Sequence, residues 1–108
     1  MKKFLTLIVL SLLLSSCARL PGKYDQLASC LTEKGLKMYG SIRSSHCKVQ
    51  EKDFQGSFDL IDFVECTEHP MRCNQANVEV YPTWVLDGTS YEGRRSLSEL
   101  AQISGCEL

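Results

Sequence analysis

The dipeptide Asp87-Gly88 lies between two β-rich runs, Thr83–Leu86 and Thr89–Tyr91. In that setting Asp-Gly reads as a two-residue hairpin turn, because both central positions of such a turn need positive φ. The C-terminal half of the chain therefore contains an antiparallel strand pair. The N-terminal half is patterned differently. Leu27, Cys30 and Leu31 recur at helical spacing within Tyr24–Lys34, and Gly35 ends that helix. Leu36–Tyr39 follows as a short strand and Gly40–Ser44 as a loop. A second helix opens near Ser44 or Ser45, both suited to an N-cap, and runs to about Phe54 before Gly56 breaks it. Leu60–Val64 is the next strand. Two strands joined through a helix lie parallel, so the whole sheet is mixed. Thr67–Gln75 is polar with room for a short helix, and Val78–Leu86 is strand material interrupted by Pro82. Ser96 and Glu99 form a capping box before Leu97, Leu100 and Ile103, and Gly105 stops that last helix. The expectation is an α/β domain, a mixed four-stranded sheet flanked by helices.

The first residues do not belong to that domain. Lys2 and Lys3 precede an apolar run, Phe4–Leu14, broken only by Thr6 and Ser11. This run of eleven residues, nine of them apolar, falls short of the roughly 20 needed to span a bilayer, and fits the core of a secretory signal. Leu14-Ser15-Ser16-Cys17 then resembles a bacterial lipoprotein signal, in which the cysteine after the cleavage point is acylated. The expected organisation is a signal peptide over 1–16, acylation at Cys17, a tether over 17–23 and one domain over 24–108. An ordinary signal peptide that happens to end near a cysteine is the alternative. Cleavage before Cys17 would leave 92 residues with 10 Lys and Arg against 13 Asp and Glu. That balance of −3 argues against a nucleic-acid partner. The expected partners are a membrane, through lipid on Cys17, and an exported protein or peptide. The expected location is the cell envelope, facing the periplasm, and Ala18 after Cys17 favours the outer membrane over the inner.

Export makes disulfides possible. Six cysteines are present, and five remain if Cys17 carries lipid, so one thiol is left over in a monomer. Cys66 and Cys73 are close in sequence with Pro70 between them, which favours a local bridge. Cys30 and Cys106 stand near the two ends of the domain, where a bridge would tie terminal helices together. Cys47 is then the odd thiol. Other pairings of the five remain open.

The order of elements is that of a thioredoxin fold. A proline that begins a strand directly before a hairpin, in Tyr81-Pro82-Thr83-Trp84, sharpens the match, as does Ser44-Ser45-His46-Cys47 between the first strand and the second helix. The sequence here resembles the thioredoxin-like domain fused to bacterial vitamin K epoxide reductases. The runs EKGLKMYG, VEC, YPTWVLDG and LSELAQISGC carry the likeness, which extends over Asp25–Cys106. In that family the loop reads Cys-Pro-His-Cys after a tryptophan. The resemblance therefore places the nucleophilic cysteine on Ser44, the proline on Ser45, the histidine on His46, the resolving cysteine on Cys47 and the tryptophan on Arg43. It also implies that Pro82 is cis and faces this loop, with Tyr81 and Thr83 beside it as a groove for a substrate or partner. No cofactor is implied.

A CxxC pair works because a helix N-terminus lowers the pKa of one thiol while the second resolves the mixed disulfide. Ser44 can cap the helix but its hydroxyl is far too weak an acid to replace the thiolate. Cys47 is read as a buried inert thiol, as a reactive monothiol, or as cross-linked to Cys30 or another cysteine. His46 is read as a surface residue, its competing role being to stabilise a Cys47 thiolate. Cys66, His69 and Cys73 form a C-x2-H-x3-C cluster that is better read as a disulfide loop than as a metal site. Three functions follow in order of preference: a partner- or peptide-binding module without dithiol activity, a monothiol redox protein using Cys47, and a metal carrier.

Overall fold

A computed structural model describes residues 19–108. The expected signal peptide and Cys17 lie outside the described residues. The first helix, α1, spans Asp25–Glu33 and buries Leu27, Ala28 and Leu31. Strand β1 (Lys37–Gly40) leads into α2 (Ser45–Asp53), and a 3-10 helix (Gln55–Leu60) leads into β2 (Asp62–Glu65). The short α3 covers Pro70–Gln75, with its proline in the first turn, where the missing N–H costs nothing. Strands β3 (Thr83–Leu86) and β4 (Thr89–Glu92) form the hairpin, and α4 (Leu97–Ser104) closes the domain. Among the described residues no helix is long and apolar enough to cross a membrane.

The sheet order is β2-β1-β3-β4, with β1 parallel to β2 and antiparallel to β3. Asp87 and Gly88 both take positive φ (49° and 79°), as the hairpin turn requires. Ser96 accepts a hydrogen bond from the Glu99 amide at 3.1 Å. Side chains alternate across the sheet. Met38 of β1 and Trp84 of β3 face a large core shared with α1, α2 and α4, while Tyr39 and Val64 face a smaller cluster with Cys66 and Cys73. Gln50 of α2, fully buried, locks the larger core. Its carbonyl accepts from Trp84 Nε1 at 3.0 Å and from the Arg95 amide at 2.8 Å, and its amide donates to the Arg95 carbonyl at 2.9 Å.

Two expectations change. Val78–Tyr81 is not strand: Val78 packs on the smaller cluster and pairing starts only at Thr83, past the proline. Leu60 and Ile61 end the 3-10 turn rather than open β2, so β2 starts at Asp62. Residues 19–23, the described part of the expected 17–23 tether, make contacts with the domain. The Arg19 guanidinium donates to both oxygens of Asp25 (3.0 and 3.2 Å) and to the Gly56 carbonyl (2.6 Å). Its hydrogen bonds hold the Asp25 carboxyl below the usual carboxylate range, helped by the Gly22 amide and the Ser57 hydroxyl.

Candidate functional site

The site is built at the C-terminal end of β1. Ser44 caps α2, its hydroxyl accepting from the Cys47 amide at 3.4 Å, the usual way to satisfy an orphan donor of the first turn. That cap places Cys47 one turn into the helix with its side chain turned inward, 4% exposed. Ser45 and His46 point outward on the same turn, and His46, adjacent in sequence, does not share Cys47's direction. The thiol comes to rest over Gly40. A Cβ placed on Gly40 would stand 2.5 Å from Cys47 Sγ and 3.8 Å from the Cα of Pro82. Only glycine leaves room there, and the thiol and the proline meet around one point. The Tyr81–Pro82 peptide is cis.

The proline loop is tied at both ends. Thr83 Oγ1 donates to the Val80 carbonyl at 2.7 Å, and the Gly93 amide donates to the Pro82 carbonyl at 2.7 Å. Tyr81 itself is 39% exposed, and among the described residues its backbone N–H and C=O meet no hydrogen-bond partner. A buried carboxylate holds the facing loop. Glu65 accepts from the Ile42 amide (2.7 Å), the Thr67 amide (3.1 Å) and the Thr67 hydroxyl (2.9 Å). Burial alone would push its pKa up. The bonds from Ile42, Thr67 and Ser41 outweigh that and hold it below its ordinary value.

The remaining sulfurs are elsewhere. Cys30 and Cys106 form one disulfide (S–S 2.04 Å) and Cys66 and Cys73 another (2.06 Å), which leaves Cys47 as the free cysteine among the described residues. Cys66 follows Val64 by two residues and so faces the Tyr39 side of the sheet. Cys47 lies over Gly40 on the Met38 side, so the sheet stands between the thiol and the disulfide. With both thiols oxidised, the C-x2-H-x3-C cluster has no thiolates to offer a metal. Sequence reasoning brought Ser44, His46, Cys47, Tyr81, Pro82 and Thr83 to one end of the sheet, where the structure also has them. It missed Gly40 and Glu65, whose roles depend on contacts between β1, β2 and α2 that leave no local pattern.

No family model matches the chain. The chain is 33% identical over 91 aligned residues to the thiol-disulfide oxidoreductase LTO1 of Arabidopsis thaliana. The alignment takes in 76% of this chain and 24% of that protein, so the chain spans about a quarter of its relative's length. Strand order, the cis-proline facing the start of α2, and this similarity agree. The domain is thioredoxin-like. The end of β1 and the start of α2 hold one thiol and one capping hydroxyl.

Proposed function

We propose that this chain is an exported, lipid-anchored thioredoxin-fold module that holds an extended segment of a partner protein against Tyr81–Thr83, beside Cys47, without a self-contained dithiol cycle. In this reading it is akin to the domain fused to bacterial vitamin K epoxide reductases, with Ser44 where that family has its first cysteine, and it faces the periplasm. One observation carries the reading: the loop has a single buried thiol, and the other described cysteines are paired in disulfides. The unpaired N–H and C=O of Tyr81 support the partner's mode of binding, because an extended chain laid beside them gains main-chain hydrogen bonds.

The name of the Arabidopsis relative describes thiol–disulfide exchange. In a dithiol cycle one thiolate attacks a substrate sulfur, displacing the other as a thiolate, and a second thiol in the same site then releases the product. The second function, monothiol exchange, is favoured by the placement of Cys47 against the proline. Cys47 would attack once, and an outside thiol would have to attack the mixed disulfide to free it. Burial of the thiol slows both steps.

The test is insulin reduction by the unmodified protein and by the Ser44→Cys/Ser45→Pro variant. The proposal expects turnover to appear only in the variant, with any background in the unmodified protein dependent on Cys47 and an added small thiol. Equal turnover by the two proteins, unchanged in Cys47→Ala, would move the redox centre to Cys66 and Cys73.

A further inference from the structure

Arg19 stands two residues after Cys17, and it is fastened to the domain in three directions: to both oxygens of Asp25, to the Gly56 carbonyl, and at longer range (3.9 Å) to Asp59. The rest of the segment is fastened as well. The Gly22 amide donates to Asp25 at 2.9 Å, and the Tyr24 amide donates to the Ser57 hydroxyl at 2.9 Å. These contacts gather at one end of the molecule. Gly56 and Ser57 belong to the 3-10 helix that follows the C-terminal end of α2. Cys47 and Pro82 lie at the C-terminal end of β1. Cys47 lies in the first turn of the nine-residue α2 and Gly56 just past its last, so the helix separates the two places by about 13 Å.

We propose that Arg19 is a clip that fixes the orientation of the domain on a lipid bilayer, with the Asp25–Gly56 end against the membrane and the Cys47–Pro82 end turned away from it. This rests on the reading of Cys17 as the acylated residue. Magnitudes decide between a clip and a tether. With Arg19 held, only two residues separate the lipid from the domain, a reach of about 7 Å. A free tether over residues 17–23 would wander by about 15 Å and let the domain turn any face to the membrane. Leu20, 87% exposed, stands beside the clip, where its side chain can enter the interfacial layer next to the acyl chains. An orienting clip also suits a site that must receive a partner from the aqueous side.

The experiment uses the mature full chain in nanodiscs containing a lipid with a gadolinium-chelate head group, read by amide NMR line broadening. Mass spectrometry of the same sample reports acylation of Cys17 separately. The expected result is severalfold stronger broadening at Gly22–Asp25 and Gln55–Asp59 than at Ser44–Cys47 and Val80–Thr83. In Arg19→Ala the bias should shrink while the amide spectrum of the core stays in place. An acylated chain with even broadening, or with the bias already present in Arg19→Ala, overturns the clip and leaves the lipoprotein reading standing. A mature mass without acyl chains overturns both.

Discussion

The two faces of the sheet each carry sulfur, and they are held together in different ways. On the side of Met38 and Trp84, the Cys30–Cys106 bridge joins positions 76 residues apart, and Gln50 ties α2 to β3 and to Arg95. On the side of Tyr39 and Val64, the Cys66–Cys73 bridge closes a separation of only 7 residues between the end of β2 and α3. The free thiol is on the face secured by long-range links. The placement of Cys47 against Pro82 is a relation between a helix start and a loop from a distant part of the chain. Long-range links hold such a relation, and a local bridge does not.

Removing each bridge puts that contrast to its largest test. In the chain-entropy picture, Cys30→Ala/Cys106→Ala should lower stability by about 4 kcal/mol, and Cys66→Ala/Cys73→Ala by about 2.5 kcal/mol. Urea unfolding of the two variants measures the difference, and equal losses would erase the distinction between the faces. Next comes Gln50→Leu. It leaves Trp84 Nε1 and the Arg95 amide without their acceptor, so a loss of about 3 kcal/mol is expected. A loss below ~1 kcal/mol would mean that the polar lock contributes little.

Smaller still is Gly40→Ala. The new methyl group would meet Cys47 Sγ, and overpacking of this kind costs about 2 kcal/mol. Combining it with Cys47→Ala should recover part of that loss, because the atom in the way is gone. A double variant no more stable than Gly40→Ala would place the conflict somewhere other than the thiol.

These positions also show what was legible in the sequence. Ser44, Ser96 with Glu99, and Asp87-Gly88 act through neighbours one to three residues away, so their roles could be read locally. Gly40 reads as the first residue of a loop because nothing nearby reveals that a thiol seven residues later rests on it. The 3-10 helix Gln55–Leu60 is not legible for a different reason: six residues with a glycine second show no period. Val78–Tyr81 reads as strand because Val78, Val80 and Tyr81 are β-formers, but Val78 serves the smaller cluster and Tyr81 stays outside the sheet.

The smallest predicted effect separates the faces by pH. Glu65 is held below its ordinary pKa of 4.5 by bonds that outweigh its burial. A carboxylate with a lowered folded-state pKa contributes stability that is complete above its unfolded pKa and is lost as the pH falls through the folded value. Acid below about pH 4.5 should therefore loosen Ser41–Ile42 before the rest of the sheet unfolds, and Glu65→Gln should flatten part of that acid limb. Hydrogen exchange at the Ile42 amide between pH 3 and 5 follows it residue by residue. Protection at Ile42 that does not change across that range would remove Glu65 as the support of the loop.

The central claim is that the site holds one sulfur, and counting thiols tests it most directly. Protein purified without reductant should yield one alkylated cysteine in the domain after denaturation, mapped to Cys47, and far slower labelling of that same residue in the native state because the thiol is buried. Quantitative labelling of Cys66 and Cys73, or none of Cys47, would contradict the account.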